Sequence, residues 1–140
     1  MNPNIMNQQN TFDDVAALVR ETLLLDEDEE IKPEHLLFYD LSFTSMDMLD
    51  LLFRIQEHFQ VNIPEGTMYA LARGDLDDAE FATDGVLTEV GRERLMAMLH
   101  DSPPQIFPPR IHRNTLPRYC TVAAMVRLVE HKLSVEHNPS

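Results

Sequence analysis

LSFTSMDMLDLLFRIQEHFQVNIP, residues 41–64, decides the fold. Thr44 offers a capping oxygen at the start of a helix, and Asp47, three residues on, can return the bond, an S/T-x-x-D variant of the capping box. The helix is expected to begin at Thr44-Ser45 and run to about Gln60. Pro64 forbids continuation, because it lacks an amide proton and biases Ile63 towards extended geometry. Met48, Leu51, Leu52, Ile55 and Phe59 recur at helical spacing and face a core. Asp47, Asp50, Arg54 and Glu57 form a second, charged stripe, towards which Met46, Leu49 and Phe53 lean.

Ser45 stands at the positive end of this helix, where unpaired N–H groups favour a phosphate. No histidine or lysine accompanies it at a spacing that suggests a base, so self-activated nucleophilic catalysis has no support. A serine placed to be modified by another enzyme fits better. Here the stretch resembles the acyl carrier protein family, in which a leucine-rich helix starts with Asp-Ser-Leu and the serine carries 4′-phosphopantetheine. This chain reads Thr44-Ser45-Met46, with Asp47 and Asp50 at the family's acidic positions and Phe59 through Pro64 closing the helix similarly. Ile31, Pro33, Leu37, Asp40 and Leu41 match the loop approaching the serine. Thr44 in place of Asp is a departure that keeps a capping oxygen and loses a charge.

The resemblance implies a mainly all-α, acyl-carrier-like four-helix bundle with 4′-phosphopantetheine, taken from coenzyme A, on Ser45. It implies a non-catalytic carrier that holds acyl intermediates as thioesters. A phosphopantetheinyl transferase would load it, and enzymes with basic docking patches would meet Met46, Asp47, Leu49, Asp50 and Glu57. Met46 and Met48 are candidates for an adaptable acyl-lined cleft. Arg54 can pair with Asp50 and trim the acidic field, a hint of dedicated partners in a specialised lipid, fatty acid or polyketide-type pathway. The alternative is an unmodified carrier-fold adaptor acting only through protein contacts.

Charge agrees with protein partners. The net charge is −13, and residues 26–57 hold ten Asp/Glu against two Lys/Arg. Such a front argues against nucleic acid or anionic lipid and favours basic proteins reached by electrostatic steering. At 140 residues one domain is expected. No apolar run is long enough for stable membrane insertion, and the polar start MNPNIMNQQN lacks the features of a signal peptide, so a cytoplasmic location is expected. A lone cysteine, Cys120, permits no internal disulfide; it reads as a small core residue, with a reactive thiol as the rival reading. The run Asp26–Glu30 opens like a calcium loop but has Ile31 where glycine and Leu37 where glutamate are required. The six histidines show no zinc spacing, and no metal is expected.

Along the chain, residues 1–10 and 135–140 are expected to be disordered around a single domain, 11–134. Thr11 is expected to cap a helix from Phe12 to Leu25, with Phe12, Val15, Val19 and Leu23 inward. Leu36, Leu37, Phe38 and Phe43 anchor the long loop that follows, and Asp40 caps a turn in it. Residues 65–118 read as an insertion in the carrier plan. Within it fall a short helix at Met68–Arg73, a small β-hairpin around Asp84-Gly85, and a helix from Thr88 to about His100. The proline-rich stretch 101–118 is expected to run extended and poor in hydrogen bonds over the surface. Thr121 caps a last helix to Leu133, which resembles the family's fourth.

Overall fold

Apolar stripes on three long helices build the core. The computed structural model describes residues 3–137 and contains α1 (Pro3–Leu23), α2 (Ser45–Phe59), α3 (Thr67–Arg73), α4 (Asp78–Phe81), β1 (Ala82–Thr83), β2 (Val86–Leu87), α5 (Glu89–Met98) and α6 (Val122–His137). The fold is mainly helical, as expected, with one small antiparallel hairpin. Helix α1 packs against both α2 and α6, and α3 packs against α5. Val15 and Val19 of α1, Leu51 and Ile55 of α2, and Met125 and Val129 of α6 are buried in one cluster.

Helix α1 corrects the expected start. It begins at Pro3, so Thr11, 4% exposed, lies inside the helix and does not cap it. Proline suits a first helical turn, and no glycine or proline interrupts residues 4–23. Polarity without a helix breaker is no barrier to helix extension. Residues 1–2 of the expected disordered start lie outside the described residues. The far end stops two residues early: Leu24 turns left-handed at φ 59°, and the Leu25 amide donates back to Arg20 O at 2.8 Å.

The loop to α2 is fastened to the N-terminal end of α6. Leu37 N donates to Cys120 O at 3.1 Å, Val122 N to His35 O at 2.9 Å, and Leu36 bridges Thr121. Asp40 accepts from Leu36 N at 2.8 Å, the expected turn cap. Helix α2 then ends where Gln60 adopts φ 56°, four residues before Pro64.

The hairpin forms at Asp84-Gly85, both at positive φ as a tight turn of this hand requires. Thr88 caps α5, accepting from Gly91 N at 3.0 Å. Glycine at 91 has a packing reason: a Cβ there would sit 2.1 Å from Phe81 O.

Residues 101–118 also depart from expectation. The stretch is neither extended throughout nor superficial: it contains a short 3-10 turn at Pro104–Ile106, enters a second at Leu116–Tyr119, and buries Phe107, Ile111 and Leu116. Arg92 donates to Phe107 O and Pro108 O at 2.8 and 2.9 Å, and Ser102 Oγ to Tyr119 O at 2.6 Å. The prolines remove donors, and Arg92 of α5 meets two of the carbonyls instead.

At the C-terminus α6 continues past Leu133 to His137, so residues 135–137 are helical and 138–140 lie outside the described residues. Two bonds hold that last turn to the α2–α3 loop. Glu136 accepts from Asn62 N at 3.0 Å, and His137 Nε2 meets Gln60 O.

Candidate functional site

Ser45 is the first residue of α2, set by the capping box that the sequence predicts. Thr44 Oγ1 accepts from Asp47 N at 3.2 Å, while Asp47 Oδ2 accepts from Thr44 N at 2.9 Å and from Thr44 Oγ1 at 3.0 Å. The box occupies Thr44 and Asp47 and leaves Ser45 exposed, its hydroxyl without a hydrogen-bond partner among the described residues.

A cleft of about 590 Å³ opens beside that hydroxyl. Met48, Leu52 and Phe53 of α2 form one wall, Met125 and Leu128 of α6 the floor, and Met68 and Tyr69 of α3 a second side. The segment 113–118 closes the remaining side. The volume and apolar lining suit a small flexible ligand. Met48 takes part in the cleft as expected. Met46 does not; it is 73% exposed, one residue beyond the serine.

The expected docking residues share the outer face of α2. Met46 and Leu49, 73% and 53% exposed, are joined by Phe53 at 60%. Phe53 completes an exposed stripe with Met46 and Leu49, which the 46, 49, 53 spacing already contained. The three carboxylates are not equivalent. Asp47 serves the capping box, and Asp50 accepts from Arg54 Nε at 3.0 Å. Glu57 alone of the three has no side-chain partner among the described residues. Arg54 also reaches Glu21 of α1 at 3.1 Å, an inter-helix pair that helical spacing alone does not show.

Cys120 is fully buried, and its burial pushes the thiol pKa up to about 12. A thiol held protonated is a poor nucleophile, so the core reading stands.

The donor set fits a serine-linked phosphopantetheine: an unencumbered hydroxyl, a helix N-terminus behind it and an apolar cleft alongside. Comparison with known proteins gives the family. Residues 13–73 match a family model described as a phosphopantetheine attachment site. An acyl carrier protein of Campylobacter jejuni subsp. doylei is 42% identical over 55 residues, covering 39% of this chain and 70% of that protein. The chain belongs to the acyl carrier protein family.

Acyl carrier protein AcpXL of Rhizobium meliloti is 44% identical over 54 residues, 39% of this chain and 56% of that protein. A similar match, 43% over 54 residues, is to AcpXL of Brucella melitensis. No solved structure gives a significant match. Acyl carrier proteins are non-catalytic: they bear acyl groups on phosphopantetheine and interact with a phosphopantetheinyl transferase and acyl-processing enzymes. Among the described residues, no helix is long and apolar enough to cross a membrane.

Proposed function

We propose that Ser45 is the attachment residue and that this carrier presents acyl thioesters to enzymes of a specialised lipid, fatty acid or polyketide-type pathway. The observation that carries the reading is the free Ser45 hydroxyl at the mouth of an apolar cleft, on the first turn of α2. In the loading step Ser45 Oγ would form a bond to phosphorus as the pyrophosphate bond of coenzyme A breaks. Adenosine 3′,5′-bisphosphate leaves, and the hydroxyl proton passes to a base of the transferase. The chain supplies position only: Thr44 and Asp47 hold the first turn, and α2 keeps the hydroxyl in solvent.

The outer face of α2 is the proposed docking surface. Met46 and Leu49 would give apolar contact, and Asp47, Asp50 and Glu57 would give charge for basic patches on partner enzymes. Arg54 cancels part of that charge, which supports dedicated rather than general partners. Residues 65–118 are proposed as the insertion in the carrier plan, with α6 after it at the position of the family's fourth helix.

The test is intact-protein mass after incubation with coenzyme A and a broad-specificity phosphopantetheinyl transferase, beside Ser45→Ala. One phosphopantetheine adduct on the wild type and none on Ser45→Ala is expected. An adduct surviving in Ser45→Ala would move the attachment elsewhere. No adduct on wild type or on Thr44→Asp, under conditions that load a control carrier, would favour the unmodified adaptor.

A further inference from the structure

The cleft beside Ser45 has a wall that α2, α3 and α6 do not provide. Residues 113–118 form it, and their position is fixed from both ends. Arg113 N donates to Gly85 O at 2.9 Å, and His112 bridges Val86, so the β-hairpin holds one end. Leu116 and Tyr119 are buried, and Cys120 O accepts from Leu37 N at 3.1 Å, so the other end is tied to the loop running into Ser45.

This wall carries Arg113 and Arg118, both exposed and both lining the cleft with Ser45. Arg54, Arg73, Arg94 and Arg127 each pair with a carboxylate, and Arg92 is spent on the carbonyls of Phe107 and Pro108. Among the described residues neither Arg113 nor Arg118 has a carboxylate partner. Arg113 lies over the Tyr69 ring at 4.7 Å from its centroid, spanning from the wall to α3. The Arg118 side chain has no partner among the described residues. In a chain of net charge −13, two unpaired guanidiniums in one cleft are a local reversal of sign. The one carboxylate in the lining, Glu65, follows the C-terminal end of α2, while Ser45 begins that helix. Arg118 shares the cleft lining with Ser45.

We propose that Arg118, with Arg113 on the same wall, binds the phosphodiester that links phosphopantetheine to Ser45, and so lays the arm along the cleft. The inference rests on Ser45 being the attachment residue. Guanidiniums are well matched to phosphate oxygens, and the phosphodiester would otherwise face the acidic field of residues 26–57. Tyr69 restrains Arg113, which lowers the entropy lost when it meets an anion. The contact is solvent-exposed and therefore salt-sensitive.

The experiment compares apo and holo forms of wild type, Arg118→Gln, Arg118→Lys and the Arg113→Gln/Arg118→Gln double variant, at low and high salt. The readouts are the 31P resonance of the phosphodiester and the Tm difference between holo and apo protein. In the wild type the resonance should move with salt, and the holo form should be the more stable at low salt. The double variant should lose both effects, its apo Tm falling only by what the Arg113–Tyr69 contact contributes, and Arg118→Lys should retain part of them. A 31P position and a holo-minus-apo Tm identical in wild type and double variant would overturn this proposal while leaving the Ser45 reading intact. Should the double variant be too unstable to load, Arg118→Gln at its exposed position decides by the same two readouts. Wild type that takes no arm overturns both readings at the loading step.

Discussion

At the scale of single residues, the Ser45 hydroxyl has no partner among the described residues, while its neighbour's is engaged. Thr44 spends its side chain on Asp47 N, and Asp47 answers on Thr44 N, so the first turn of α2 is closed without using Ser45. Thr44→Ala removes the cap and should cost about 1 kcal/mol in urea denaturation with an unchanged slope. Thr44→Asp keeps a capping acceptor and should hold wild-type stability; a loss equal to that of alanine would show that the cap is not what Thr44 contributes. Cys120 gives a second expectation. With its thiol pKa pushed up to about 12 by burial, native protein should resist a thiol reagent at pH 8 and react fully once unfolded. Rapid labelling of the folded form would contradict its burial.

At the scale of elements, short signals were legible and long-range ones were not. Thr44 with Asp47, Asp84-Gly85, Thr88 and Thr121 all act locally, and each starts the element that its neighbours announce. The start of α1 was missed because nothing in residues 4–10 forbids a helix, while their polarity hides one. The burial of Phe107, Ile111, Leu116 and Tyr119 was missed because proline-rich sequence announces only what the backbone cannot bond. The partners that hold it, such as Arg92, come from elsewhere in the chain. The wall beside Ser45 was invisible for the same reason, being far from it in sequence. Gly91 tests how tightly these added elements pack. Gly91→Ala should destabilise by about 1–3 kcal/mol, since its Cβ would meet backbone that cannot yield cheaply. Wild-type stability for that variant would mean α5 can move away from Phe81. Asp101 fastens the end of α5 to α6, accepting from Arg127 at 2.7 and 3.3 Å. Desolvation raises the Asp101 pKa, but the hydrogen bonds and charge of Arg127 outweigh it and the net shift is downward from 3.8. A depressed carboxylate stabilises above its unfolded pKa and loses that contribution as pH falls through the folded value. Asp101→Asn should therefore cost on the order of 1 kcal/mol at pH 7, and the gap to wild type should close below about pH 4. Burial shifts Glu130 upward against the opposing charge of Arg127, so it works in the opposite sense to Asp101. A gap that persisted at low pH would remove the ion pair as its source.

At the scale of the whole molecule, α2 serves two clients at once. Its inner side and lip shape the cleft beside Ser45, while its outer face presents Met46, Leu49 and Phe53 among carboxylates. The sequence pattern made those carboxylates look alike, and the folded chain separates them. Asp50 is held by Arg54, which is itself shared with Glu21 across the α1–α2 contact, so this part of the acidic stripe is internally neutralised. Glu57, one helical turn beyond Arg54 and unpaired among the described residues, projects more of its charge towards an approaching protein. Association with a basic partner enzyme should therefore depend unequally on two residues that are chemically close. Glu57→Gln should slow loading by a phosphopantetheinyl transferase by about twofold to fivefold at low salt, with the difference fading as ionic strength rises. Asp50→Asn should change it less, because removing a neutralised charge leaves the outer field nearly as it was. Arg54→Ala should move loading the other way by unmasking Asp50 and Glu21. The measurement is kcat/KM for loading across a salt series, with Tm as the control for folding. Equal losses for Glu57→Gln and Asp50→Asn, together with an indifferent Arg54→Ala, would show that partners pull Arg54 off the face on docking. The selectivity would then lie in the apolar stripe of Met46, Leu49 and Phe53.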